Sequence, residues 1–166
     1  MKQGTISVLF GCHSPIHSYY VIKAWKRLYG SYPKPWEVAC IFLHDIGHIG
    51  KNYLDNPKDK AEHWRLGAEL AGLLFGWKGF TLCAGHCGTS GHDMSKMWGA
   101  DKLSWLLAHQ FWLVSNGVVE PMLRRPGESI WQNAKNWPKE VAKAIKEDKS
   151  NFSAHDLWKR RSEGKP

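Results

Sequence analysis

Pro35-Trp36-Glu37-Val38-Ala39-Cys40-Ile41-Phe42-Leu43-His44-Asp45 is the stretch on which the reading of the fold turns. Proline in a first turn is a favoured helix opening, and the almost wholly apolar run behind it predicts a buried, central helix. The end of the run is its most informative part. Ile41-Phe42-Leu43 draws this segment inside, so His44 and Asp45 are carried in with it. A buried carboxylate is normally paired, protonated or bound to a metal, because leaving it unpaired is too costly. Adjacent helical positions point about 100° apart, so His44 and Asp45 can straddle one ion, and His48, one turn on, is expected on the face of His44. A hydrogen-bonded buried pair without metal is the plainer alternative.

Working outward, Ser14-Pro15 opens a helix expected over 15–29, which Gly30-Ser31-Tyr32-Pro33 ends. Residues 47–60, with Gly50, Asn56 and Pro57, read as a loop; 61–75 return to a helical pattern, and a short helix is expected near 80–84. Gly85, Gly88 and Gly91 with Thr89 and Ser90 make 85–93 a loop suited to covering a site. A long apolar helix is expected from Trp98 or Ala100 to Val114. Asn116-Gly117 should end it, with a proline-punctuated stretch (Pro121, Pro126) and amphipathic helices near 129–136 and 138–149 following. There is no internal repeat, no convincing strand pair and no linker. The expectation is one all-α domain over 1–166, a compact helical bundle whose facing helices can build a metal site.

Composition agrees with a globular chain: 43% of the residues are apolar and 23% charged. The ten tryptophans can fill gaps between helices or line a pocket for a flat or apolar ligand. A formal charge of +8 should attract anions such as phosphates, nucleotides or nucleic acid. Much of the excess lies late in the chain (Lys135, Lys139, Lys143, Lys146, Lys149, Lys159, Arg160, Arg161, Lys165), where a solvated helix face and tail is favoured over a nucleic-acid patch. No stretch approaches the roughly 18 apolar residues of a membrane span, and Met1-Lys2-Gln3-Gly4 does not open a signal peptide. The chain is therefore expected in the cytoplasm, without a membrane partner and with Cys12, Cys40, Cys83 and Cys87 reduced.

Nine histidines raise the question of which converge. Three His-Asp dipeptides occur. His155-Asp156 sits in the basic tail and reads as surface, His92-Asp93 lies in the glycine loop, and only His44-Asp45 follows a run that must be buried.

Phe42-Leu43-His44-Asp45-Ile46-Gly47-His48 resembles the signature of the HD-domain superfamily, most of whose members are metal-dependent phosphohydrolases, with a minority of mixed-valence di-iron oxygenases. The resemblance runs over about residues 13–108. It implies an HD-type bundle with a metal-site core at about 13–115, the C-terminal helices and basic tail filling 116–166. It also implies a first metal site of His17, His44, Asp45 and Asp101, with His13 the alternative to His17. In two-metal members the counterparts of His63 and His86 complete a second site that shares Asp45. Two features depart from the family pattern: the interval from His86 to Asp101 is short, and His86-Cys87 stands where many relatives have paired histidines.

Imidazole and carboxylate ligands suit Mn, Fe, Co, Ni or Zn, so one or two divalent transition-metal ions are expected without a choice among them. Asp45 would bridge two ions, and His48 is the candidate proton-transfer group. Lys51 and Lys102 are candidates for gripping phosphate oxygens, and His92 for approaching the ligand as the 85–93 loop closes. The expected activity is hydrolysis of a nucleotide or related phosphorylated small molecule. Alternatives are the di-iron oxygenase, which uses the same six ligands, and a non-catalytic nucleic-acid or protein-binding module. A structural zinc knot of Cys83, His86, Cys87 and His92 is the rival metal site, although three of its ligands crowd within five residues.

Overall fold

The computed structural model describes residues 1–52, 58, 61–121 and 125–147; His155-Asp156 and the tail cations from Lys149 onward fall outside them, as does most of 53–60. Among the described residues there are eight α-helices, one 3-10 turn and no strand. The helices are α1 (Gln3–Phe10), α2 (Pro15–Tyr29), α3 (Pro35–Leu43), α4 (Trp64–Phe75), α5 (Trp77–Ala84), α6 (Lys96–Leu107), α7 (Gln110–Val119) and α8 (Ile130–Glu147). None of them is long and apolar enough to cross a membrane.

The start and stop signals of the first half act as expected. Pro15 and Pro35 occupy first turns, and Gly30 closes α2 in the left-handed conformation at φ 75°. At the head of α3 the Lys34 backbone N–H donates to Glu37 Oε2 at 2.6 Å, tying down the helix start. α2 lies along α6, α4 along α5, and α3 meets α2, α4 and α5. Their shared core holds Val21, Trp25, Ile41, Cys40, Met97 and Leu103, all buried. A second cluster joins Tyr20 of α2 to Trp112 and Leu113 of α7 and Ala134 of α8.

Five expectations are corrected. α3 is not buried all round: Cys40 and Ile41 face the core, while Phe42 is 50% exposed. The helix also stops at Leu43, and Ile46–His48 form a 3-10 turn, with Asp45 at φ −100°, ψ 2° in the bridge region where active-site residues are often found. The apolar run from Trp98 is broken at Ala108, because the His109 N–H donates to Tyr20 Oη at 3.0 Å and the His109 ring accepts from the Phe111 N–H to begin α7. α7 then runs through Asn116-Gly117 instead of ending there, and α8 is one helix that contains Pro138. α1 gave no sequence signal that was recognised.

The α3 turn is seated by two close backbone approaches. A Cβ on Gly47 would lie 1.7 Å from the His63 carbonyl oxygen, and one on Gly67 would lie 2.4 Å from that of Leu43 and 2.9 Å from that of His44. Only glycine lets α4 lie this close to the segment that carries His44 and Asp45. A Gly67→Ala chain is therefore expected to lose on the order of 2 kcal/mol of stability and to bind metal more weakly, because α4 must push the His44 backbone aside. Thermal melts with and without metal check this; a variant that melts and binds like the parent contradicts the packing argument.

Candidate metal centre

Five helical segments deliver six side chains to a common point, most of them from helix ends. His17 comes from the first turn of α2, His44 and Asp45 from the end of α3, His63 from the residue before α4, His86 from just beyond α5, and Asp101 from the middle of α6. His17, His44, Asp45, His86 and Asp101 are all buried. The Asp45 carboxylate stands between two pairs of imidazoles. Its Oδ2 lies 2.9 Å from His44 Nε2 and 3.6 Å from His17 Nε2, while Oδ1 lies 3.5 Å from His86 Nε2 and 3.7 Å from His63 Nε2. Asp101 Oδ1 closes the first side at 2.9 Å from His17 Nε2.

The rings are aimed by their other nitrogens. His44 Nδ1–H donates to the Ile41 carbonyl at 2.6 Å, and His86 Nδ1–H donates to that of Cys83. The Ser104 hydroxyl donates to the Asp101 carbonyl at 2.6 Å, which leaves its oxygen to accept from His17 Nδ1 at 3.4 Å. In all three rings Nε2 is thus turned toward a carboxylate, the arrangement in which outer partners orient metal-binding histidines. His44 Nε2 is buried and, although 2.9 Å from Asp45 Oδ2, makes no hydrogen bond of acceptable angle. His63 Nε2 and His86 Nε2 are 3.0 Å apart. Imidazole nitrogens bond zinc at about 2.0–2.1 Å, so two nitrogens this close could be held by one ion.

Electrostatics favour a cation here. Burial would raise the Asp45 carboxyl, but His44 and His13 beside it hold it well below the usual range. Asp101 is likewise opposed by burial and held far below the ordinary value by Lys102 and His17. Burial lowers the His44 ring, yet Asp45 and Asp101 outweigh it and raise its pKa to about 9. Two buried carboxylates facing one lysine leave negative charge for protons or metal ions to neutralise. His/Asp groups with ligand atoms within 4.8 Å of one another are His17-His44-Asp101, His44-Asp45-His86 and His13-Asp45-His48. The donor set fits a divalent transition-metal ion.

The centre opens onto a cleft of about 520 Å³. Lys102 lies on its wall and holds Asp101 Oδ2 at 3.1 Å, with its side chain 40% exposed. Cys87, Gly88 and Thr89 form another part of the wall, so the glycine loop does border the cleft. The base of that loop is pinned by the Ser95 N–H on the Gly85 carbonyl, and Thr89 Oγ1 donates to the Ala61 carbonyl. His92 is elsewhere: its ring packs against Trp64 and Phe80, outside the cleft, so it does not approach a ligand there. Lys51 is not on the wall either; its carbonyl accepts from the Gly4 N–H. The zinc knot does not assemble, because Cys83 is in the core with its thiol on the Cys40 carbonyl and His92 is held by the two aromatic rings.

His48 lines the cleft, but not by repeating the direction of His44, since the helix has ended. Its ring stacks on His63 at 4.3 Å between centroids and lies 4.2 Å from His13. His13 therefore stands beside His17 in the site, not in place of it. Sequence reasoning gave His13 only as an alternative, and it missed Ser7, whose Oγ is 2.6 Å from His13 Nδ1. It also missed Glu120, a buried carboxylate that accepts from the Cys12 N–H at 2.6 Å. The −4 spacing of His13 from His17 was a usable signal; the contacts of Glu120, 108 residues from Cys12, had none.

The fold and the site together define an all-helical protein with a buried His/Asp centre able to hold metal. Comparison of the chain with protein-family models, with curated proteins and with solved structures finds no match.

Proposed function

We propose that this chain is a metal-dependent phosphohydrolase of the HD-domain type, acting on the phosphate ester of a nucleotide or related small molecule. The observation that carries the reading is the division of Asp45: one carboxylate oxygen faces His17 and His44, the other faces His63 and His86. A carboxylate placed in this way is suited to bridge two ions. His17, His44 and Asp101 would complete the first site, and His63 and His86 the second. Bound divalent ions lower the pKa of a coordinated water, hold the substrate phosphate and offset the charge that develops on it.

The chain's own groups have definable tasks. Lys102 neutralises Asp101 and, with its ammonium at the edge of the cleft, can also meet a phosphate oxygen. Burial, with His13 and other rings nearby, pushes the His48 pKa far down, so His48 is neutral near pH 7 and can serve a water or substrate on the cleft wall as a hydrogen-bond partner without adding positive charge beside the ions. The indole of Trp105 stacks on His17 at 5.1 Å, closing that side of the centre to water.

Metal analysis of the purified chain followed by a screen of nucleotides and phosphate esters with Mn, Co, Ni and Zn tests the proposal. Phosphate release dependent on metal is expected. Oxygen consumption by the iron-loaded chain without phosphate release would transfer the same ligands to an oxygenase. A His63→Ala chain is expected to lose one ion of two, and with it about 10- to 100-fold in turnover. Equal ion counts in parent and variant at saturating metal would remove the second site.

A further inference from the structure

The cleft is far larger than a phosphate group, and its wall runs on from the His/Asp centre past Trp105, which stacks on His17, to residues of α8 that have no part in the reaction. Trp105 stands there on α6, and Asn133 and Trp137 stand one turn apart on α8. The two indoles meet edge to face, with centroids 5.7 Å apart and planes at 84°, so they form a corner. A flat ring laid on one indole presents its edge to the other. Trp137 is 39% exposed and is therefore not there to fill the core. The half-buried carboxamide of Asn133 makes no hydrogen bond within the described protein. The Asn116 carboxamide, 5% exposed and also on the cleft wall, has neither its oxygen nor its nitrogen paired among the described residues.

An unpaired buried carboxamide costs stability, so that of Asn116, with the half-buried one of Asn133 beside an aromatic corner, calls for a ligand that supplies a donor and an acceptor. A carboxamide pairs with a ring edge that offers both side by side, as asparagine does with adenine. Apolar faces with a few convergent polar groups are the usual make-up of a small-molecule subsite.

We propose that the Trp105–Trp137 corner and Asn133 form a nucleobase subsite, in which Trp137 supplies the stacking face and Asn133 reads the edge of the base. This deepens the phosphohydrolase reading, since it rests on the cleft being the substrate site, and it makes α8 the element that selects the substrate. Stacking on an aromatic side chain is tolerant of base identity, so Trp137 governs affinity and Asn133 governs preference.

The test is equilibrium binding to the full chain of adenosine, guanosine, cytidine, uridine and ribose, with inorganic phosphate in the presence of Zn as the probe of the other half of the cleft. At least one nucleoside is expected to bind tenfold or more tightly than ribose. Trp137→Ala, at an exposed position that the fold does not need, should lose at least fivefold of that gain with phosphate binding unchanged. Asn133→Leu should reorder the four nucleosides. No nucleoside surpassing ribose, a Trp137→Ala chain that binds as the parent does, or an unchanged order in Asn133→Leu would each overturn the assignment. Nucleoside binding that depends on Trp137 while phosphate fails to bind would uphold the subsite and count against the phosphohydrolase reading alone.

Discussion

An Asp45→Asn chain is expected to bind no divalent ion stoichiometrically and to lose on the order of 10³-fold or more in turnover, while keeping its helical signal. The size of the effect follows from geometry. Both oxygens of this one carboxylate face imidazole pairs, so removing its charge strips a ligand from both sites at once. Asparagine keeps the volume and leaves the core contacts of Cys40 and Ile41 alone, which separates the loss of metal from loss of fold. Ion content by elemental analysis, circular dichroism and turnover should be measured on the same preparation. A variant that retains its ions, or most of its rate, would mean that Asp45 does not bridge.

The second large effect is on the pH dependence of the metal-stripped chain, which should be most stable near pH 6.5. The His44 pKa is raised to about 9 in the folded chain by Asp45 and Asp101 acting against burial, from an unfolded value of about 6.5. A raised pKa contributes stability that is full below the unfolded value and is lost as the pH rises through the folded one. Roughly 3 kcal/mol should therefore disappear between about pH 6.5 and 9. On the acid side His48 acts in the opposite sense. Its folded pKa is depressed by burial, so below about 6.5 the unfolded chain takes up a proton that the folded chain refuses, and stability falls again. An ion replaces the His44 proton, so the alkaline loss should vanish in the metal-loaded chain and metal affinity should rise with pH. Urea melts from pH 5 to 9 in chelator and in excess metal check this. A flat alkaline limb in chelator, or identical curves in the two conditions, would show that His44 does not carry the proton.

Much of the bundle and most of the centre were legible in the chain itself, because their signals are local. Pro15, Pro35 and Gly30 act within one helical turn of themselves, and apolar spacing placed α2 and α3 well. The burial of Ile41 was enough to mark His44 and Asp45 as groups in need of partners. The partners His17, His63, His86 and Asp101 came from a motif order, and they do converge on Asp45 or on one another. Local signals failed where a distant contact overrode them. The α3 helix ends at Leu43 because Gly47 and Gly67 bring α4 onto its last carbonyls, and this sends His48 to His63 in place of the face of His44. The apolar run after Trp98 breaks because the Tyr20 hydroxyl, 89 residues from His109, takes up a backbone N–H. His92 is drawn away from the cleft by Trp64 and Phe80, whose rings offer more contact than a solvated loop does. Residue types and their order were thus enough to say which side chains want a metal. Which oxygen of Asp45 faces which ring, and which wall of the cleft α8 supplies, depend on contacts between segments far apart in sequence, and these exist only once the helices have packed.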